Sequence, residues 1–486
     1  MKFTDQGLSP EIIRAITDLG FTEPMPIQKK ALPILLNDPV DLLAIAQTGT
    51  GKTAAYALPM IQLIDTDSKE TQGIILTPTR ELCVQVSKDI EKFAKYIDGF
   101  RTLAVYGGAN MEQQIRALRK GVHLIVGTPG RVHDLIRKSH INISGIQTLT
   151  LDEADEMLSM GFKEELDAIL ATTPKSRQTL LFSATMPADI LRISKSYMKD
   201  PVQIQAGKPN TSSDNIQHTY YMVKHSNKYM ALKRIADVNP NIYGIVFCRT
   251  REETKEVARQ LLSDGYLVDA LHGDISQPQR EVVLNNFRNR SLNFLVATDV
   301  AARGIDVQDI THVINFTLPD DTETYIHRCG RTGRAGKKGL SIVLATNREM
   351  NKIRRIEKAT RKEFTFSTLP SNREICKQQL FHRLEQVEKA EVAEDVLEPF
   401  LEEIYERFAD MDKEAVIKLF ISAEFQKFFS YYQNHKDKNL SESPFPEINK
   451  KKKKRKKDGF GGDKRQFWSK PKERRRKIKR KSTARK

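Results

Sequence analysis

Ile146-Gln-Thr-Leu-Thr-Leu-Asp-Glu-Ala-Asp155 is the stretch that decides the fold. It opens as a short apolar run and stops abruptly on paired acids, Asp152 and Glu153. A buried strand ending on two carboxylates can hold a magnesium ion and aim a base at a water molecule. Upstream lies Ala46-Gln-Thr-Gly-Thr-Gly-Lys-Thr53, another apolar strand running into a glycine-rich loop. Gly49, Thr50 and Gly51 let backbone N–H groups approach phosphate, Lys52 supplies positive charge, and the Thr53 hydroxyl can ligate Mg²⁺. The generic phosphate-loop pattern has Gly where this chain has Ala46. Together the two stretches imply a nucleoside triphosphate site, with Asp152 on Mg²⁺ through water and Glu153 taking a proton from the attacking water.

Outward from these stretches, short β-branched runs recur at Asp41–Ala46, Gly73–Thr77, Arg101–Tyr106, His123–Val126, Thr148–Leu151 and Thr179–Phe182. Helical patterns such as Glu81–Tyr96 and Asn110–Arg119 fill the gaps. The alternation predicts an α/β domain with a parallel sheet. It pauses at Ala206-Gly-Lys-Pro-Asn-Thr-Ser-Ser213, a linker composition. It resumes with Gly244–Phe247, Leu267–Leu271, Asn293–Ala297, His312–Phe316 and Ser341–Ala345, giving a second α/β domain. That domain contributes His327-Arg328-Cys-Gly-Arg331-Thr-Gly-Arg334. Guanidinium groups stabilise the charge of a phosphoryl-transfer transition state, and the first domain supplies Lys52 but no arginine finger. The implied active site is split between the domains.

A chain of 486 residues is too long for a single core. Its net charge of +17 is misplaced if read as an average: Lys450 to Lys486 hold 21 Lys/Arg against three acids, leaving 58 bases and 59 acids elsewhere. The run Lys450-Lys-Lys-Lys-Lys-Arg-Lys-Lys457 is expected to be disordered and to bind a polyanion, with Phe460, Phe467 and Trp468 able to stack on bases. Between these regions, Val396, Leu397, Phe400, Leu401, Ile404, Tyr405 and Phe408 recur at helical spacing, as do apolar residues from Val416 to Phe429. This module is read either as a brace for the second domain or as a partner surface. Four scattered cysteines (Cys83, Cys248, Cys329, Cys376) without C-x-x-C spacing argue against zinc and disulfides. No apolar run reaches the roughly 20 residues a membrane span needs. With Asp5 breaking any leader, a cytoplasmic protein without membrane partners is expected.

Further motifs carry a family resemblance. The chain resembles the DEAD-box ATP-dependent RNA helicases on Phe3 with Gly20-Phe-Thr-Glu-Pro-Met-Pro-Ile-Gln28, Pro78-Thr-Arg-Glu-Leu82, Gly107-Gly108, Thr128-Pro-Gly-Arg131 and Ser183-Ala-Thr185. In the second domain the likeness continues at Phe247-Cys-Arg249-Thr, His272-Gly-Asp with Gln277 and Arg280, Ala297-Thr-Asp299, and Arg303-Gly-Ile-Asp306. Cys83 and Arg249 replace smaller residues common in the family. The resemblance implies two tandem RecA-like parallel-sheet domains, a helical extension and a disordered basic tail. The expected boundaries are 1–207, linker 208–215, 216–365, 366–445 and 446–486.

The resemblance also implies roles. Gln28 would read adenine, Phe3 would stack on it, and Asp306 would touch the ribose, with ATP and Mg²⁺ as cofactors. Lys52, Glu153, Arg331 and Arg334 would be catalytic. RNA contacts would come from Pro78, Thr79, Arg80, Gly107, Gly108, Thr128, Pro129, Gly130, Arg131, Arg249, Gly273, Gln277, Arg280 and Thr298. Asp155, Ser183, Thr185 and His327 would couple hydrolysis to unwinding. The expected activity is local unwinding of short RNA duplexes in ribosome assembly, mRNA turnover or cold adaptation, with a homodimer through 366–445 or partners from RNA decay or ribosome assembly. The alternatives are an ATP-gated RNA clamp that recruits proteins, and a DNA translocase.

Overall fold

The computed structural model describes residues 2–46, 49–206, 215–302, 304–305, 307, 309–334, 337–391 and 394–434. Asp306, the linker up to residue 214 and the tail 446–486 therefore lie outside the described residues. In the first sheet the strands are β1 (Leu42–Ala46), β2 (Gly73–Leu76), β3 (Thr102–Val105), β4 (Leu124–Gly127), β5 (Thr148–Leu151), β6 (Gln178–Ser183) and β7 (Val202–Ala206). They pair in parallel in the order β3-β4-β2-β5-β6-β1-β7. Alternate β1 residues enter different cores: Leu42, Ala44 and Ala46 pack on one face, Leu43 and Ile45 on the other. Burial on both faces explains why the run is apolar throughout rather than alternating.

The second sheet repeats the plan with β8 (Ile216–Met222), β9 (Gly244–Cys248), β10 (Val268–Leu271), β11 (Phe294–Thr298), β12 (His312–Asn315), β13 (Gly339–Ala345) and β14 (Phe364–Ser367), in the order β10-β11-β9-β12-β13-β8-β14, again parallel. The sequence-predicted strands form within a residue or two of their expected ends. β7, β8 and β14 were not anticipated. β7 and β14 are edge strands, where one side of the ladder is open and an apolar run is not required. β8 buries polar residues: His218 Nδ1 lies 2.7 Å from the Tyr325 hydroxyl, and its ring stacks on Phe364 at 5.0 Å.

Every phosphate- or RNA-type motif of the first domain follows the carboxyl end of a strand, which places them along one edge of the sheet. Beyond β14 come three helices, Asn372–Glu388, Glu394–Phe408 and Lys413–Asn434. The first packs on the helix Lys228–Val238 of the second domain and on the third of the set. Arg234 fixes this junction by donating to Pro370 O (2.9 Å) and Asn372 Oδ1 (2.8 Å), while the Tyr432 and Tyr266 hydroxyls both donate to Asp237. Phe400, Tyr405 and Phe420 remain exposed.

Candidate functional site

The loop after β1 enters the helix Lys52–Leu63 through Gly51, whose φ of +82° only glycine adopts without strain. A Cβ there would also collide with Gln28 Nε2, which donates to Gly51 O at 3.0 Å. The Gln28 Oε1 in turn accepts from Met25 N at 2.8 Å, so one buried amide ties the Gly20–Gln28 segment to the phosphate loop. Lys52 Nζ is buried without a protein partner. The Asp152 and Asp155 carboxylates offset part of its charge, but its buried N–H donors still lack an acceptor, which the oxygens of a bound phosphate would supply. Here the residues fit a nucleotide.

Facing Lys52, Asp152 accepts from the Tyr56 hydroxyl (2.7 Å) and from Glu153 N (2.9 Å). Burial pushes its carboxyl above the ordinary range; Lys52 opposes this and the Glu153 charge adds to it. Glu153 takes a left-handed φ of +50°, uncommon for a branched-free but non-glycine residue, and so turns the chain sharply out of β5 into the cleft. Asp155 accepts from Thr185 N (2.9 Å) and Thr185 Oγ1 (2.7 Å), while the Ser183 hydroxyl donates to Thr185 O at 2.7 Å. Burial alone would raise the Asp155 carboxyl; bonding to His327 and Thr185, with the charges of His327 and Lys52, holds it well below the usual carboxylate range.

Between the two domains these groups border a cleft of about 460 Å³. Phe21, Gln28, Gly49, Lys52, Thr53, Asp152 and Glu153 line it from the first domain, and Gly304, Ile305, Arg331 and Arg334 from the second. Arg331 Nη1 donates to Ile305 O (3.0 Å) and Arg334 Nε to Gly330 O (2.9 Å), which aims both guanidinium groups across the domain boundary.

A second interdomain groove of about 540 Å³ is lined by Pro78, Thr79, Arg80, Gly107, Thr128, Gly130 and Arg131 on one side and by His272, Gly273, Gln277 and Arg280 on the other. Its basic groups are held by protein partners. Arg280 Nε donates to Glu81 Oε1 at 2.5 Å and Arg80 Nη1 to Gln277 Oε1 at 3.3 Å, both across the boundary; Arg131 Nη1 donates to Gln114 Oε1 at 3.0 Å. Thr79, Thr128 and Ser276 each begin a helix, so helix N-termini converge on the groove; Pro129 and Pro278 bring no N–H there, and Leu82 N is capped by Thr79 Oγ1 at 3.2 Å.

Comparison with known proteins agrees with this geometry. Residues 25–193 match the DEAD/DEAH box helicase family, 227–336 the helicase conserved C-terminal domain, and 375–433 the family described as "Probable ATP-dependent RNA helicase, helical domain". The ATP-dependent RNA helicase CshA of Listeria monocytogenes is 41% identical over 425 residues, 87% of this chain and 81% of that protein. The chain belongs to the DEAD-box ATP-dependent RNA helicases. CshA of Bacillus subtilis is 43% identical over 361 residues, covering 74% of this chain and 73% of that protein. Among solved structures, S. cerevisiae Dbp5 bound to RNA and ADP BeF3 matches with a TM-score of 0.71 and 31% identity, over 78% of this chain and 99% of that one. Mss116p bound to ssRNA and AMP-PNP matches at 0.69 and 27%, over 85% and 86%.

Not every motif residue of this DEAD-box helicase sits where the resemblance implied. Phe3 is buried in the core 6.2 Å behind Phe21, and the ring facing the cleft is that of Phe21. Arg249 stands outside the groove with its guanidinium bound to Asp320, and its backbone N–H donates to Glu253 Oε2 at 2.7 Å. Thr298 ends β11 away from the groove, where Val300 takes its place. Pro129 is a buried first-turn residue, and Gly108 lies under the Arg80 guanidinium. The helix Arg80–Phe93 adds Leu82, Gln85, Asp89 and Phe93 to the first cleft; only Leu82 fell within a motif, and none of the four was assigned to that cleft from the sequence. Their three- and four-residue spacing, one polar-lined helical stripe, was the available signal. Met160, Phe162 and Ile275 similarly add an apolar wall to the groove, with no motif to mark them.

Proposed function

We propose that this helicase grips RNA by its backbone and locally separates short duplexes as ATP draws its two domains together. One observation carries this reading: two short segments each border both clefts. Thr79, Arg80 and Glu81 line the groove while Leu82 lines the ATP cleft; Val300 lines the groove while Gly304 and Ile305 line the cleft. The two segments touch, because a Cβ on Gly304 would collide with Thr79 Oγ1. Any movement that opens one cleft therefore disturbs the other.

In this reading Lys52 and the Gly49–Gly51 loop hold phosphates, Glu153 accepts a proton from the attacking water, and Arg331 and Arg334 meet the charge that develops on the transferred phosphoryl group. Thr53 and Asp152 would hold Mg²⁺, which when bound neutralises phosphate charge. Asp306 is assigned to the ribose on its motif alone. RNA phosphates lie against the helix N-termini at Thr79, Thr128 and Ser276, a mode that carries no base specificity. The similar structures of Dbp5 and Mss116p, solved with RNA and a nucleotide analogue, support this assignment. Glu153→Gln should retain RNA and ATP binding but stop strand displacement; full displacement by that variant would refute the reading.

The tail 446–486 is assigned as a salt-sensitive RNA tether, and ribosomal or messenger RNA as substrate, in ribosome assembly, mRNA turnover or growth in the cold. Removing residues 450–486 should weaken RNA binding and flatten its salt dependence while sparing basal ATPase. The exposed aromatics Phe400, Tyr405 and Phe420 of the last two helices are assigned to a homodimer contact, their apolar rings suiting self-association. Sedimentation of residues 1–445 as a monomer at micromolar concentration would remove the dimer. Free cysteines, and the lack among described residues of a helix long and apolar enough to cross a membrane, support a cytoplasmic setting.

A further inference from the structure

His327, on the second-domain helix Thr322–Cys329, is buried against the first-domain helix Ala154–Ser159. Its Nε2 lies 3.7 Å from Asp155 Oδ2, and its Nδ1 lies 3.1 Å from Glu156 Oε1. A neutral imidazole has one N–H donor and one lone pair. Opposed carboxylates at both nitrogens suit the imidazolium alone, since a lone pair facing a carboxylate is repelled. Asp155 is fixed by its bonds to Thr185; the Ser159 hydroxyl donates to Glu156 O at 2.9 Å and lies 3.3 Å from Glu156 Oε2, so one hydrogen serves the two oxygens. Glu156 lines neither the ATP cleft nor the RNA groove and belongs to none of the motifs above.

We propose that Glu156 is a positioning residue for domain closure: with Asp155 it grips both ring nitrogens of His327, so that the closed arrangement takes up a proton on that ring. This rests on the closure reading given above. The other charges around the ring do not undo the grip. Glu153 adds to it. Arg328 is matched by Asp299, with Nη2 to Oδ2 at 2.8 Å, and Arg331 is turned to Ile305 O; the Lys52 charge acts on Asp155 as well. Burial opposes a charged ring, but Glu156 and then Asp155 outweigh it and hold the proton above the ordinary histidine value. The sign follows. The contribution to closure is complete below the ordinary value of about 6.5 and is lost as pH rises through the raised value of the closed state.

The test is the pH profile of RNA-stimulated ATP hydrolysis by the full chain, at saturating ATP and Mg²⁺. Glu156→Gln should move the alkaline limb to lower pH by roughly one to two units, the shift expected of one removed neighbouring charge. Glu156→Asp should restore most of that shift. An alkaline limb at the same pH in wild type and Glu156→Gln, whatever the height of the profile, overturns the proposal. If Glu156→Gln does not fold, His327→Gln supplies the reading: its limb must vanish, and an unchanged limb overturns the proposal equally. Loss of RNA stimulation in the wild type itself would instead mark failure of the closure reading.

Discussion

The ATP cleft and the RNA groove lie between the same two domains but are built on opposite electrostatic plans. In the cleft, polar groups are left waiting: Lys52 Nζ is buried with no hydrogen-bond acceptor and the Asp152 carboxyl is pushed up by burial. In the groove, each guanidinium already has a hydrogen-bond acceptor: Arg280 is paired with the Glu81 carboxylate, Arg80 donates to the Gln277 amide and Arg131 to the Gln114 amide. The difference separates binding from gating. A buried donor without an acceptor draws a ligand, whereas an ion pair that crosses a domain boundary helps to hold that boundary shut, and on the proposed function RNA phosphates then meet the backbone of the groove.

The contrast can be broken most severely at the cleft. Arg331→Ala should reduce RNA-stimulated ATP hydrolysis about 10³-fold with nucleotide affinity nearly unchanged, as single-turnover kinetics would show. A comparable loss of affinity would mean that this guanidinium serves the ground state. Next in size is Arg280→Ala, which strands the half-buried Glu81 carboxylate. At about 2 kcal/mol the RNA half-saturation of the ATPase should rise roughly thirtyfold, although the residue was first read as a plain RNA contact. Phe21→Ala should weaken nucleotide binding about tenfold, the scale of one lost base–aromatic stack. Phe3→Ala should instead lower the melting temperature and leave affinity in the surviving folded protein near normal, because its ring packs in the core. Smallest of all is Arg249→Ala, expected to change RNA affinity less than about threefold, since it loses only an exposed pair with Asp320.

These residues also mark how far the sequence could be read. Strands buried on both faces were legible because they had to be apolar throughout, and the acids after β5 and the glycines after β1 were legible because few other residues do that chemistry. β8 was not: its buried His218 is satisfied by Tyr325, a partner more than a hundred residues away that no local pattern can show. The same holds for Arg249 and Asp320, and for Tyr432 and Asp237, where pairing in space decides whether a charged or aromatic side chain faces a ligand or a neighbour. The motif pointed to Phe3 as the stacking ring; only packing shows that Phe21 stands in front of it.

Coupling between the two clefts is the central claim, and RNA affinity with and without a non-hydrolysable ATP analogue tests it most directly. Fluorescence anisotropy on a short single-stranded RNA should show at least tenfold tighter binding with the analogue, and the analogue should bind tighter by the same factor when RNA is present. Equal RNA affinity in the two conditions would mean that the clefts close independently, and would contradict the proposed function.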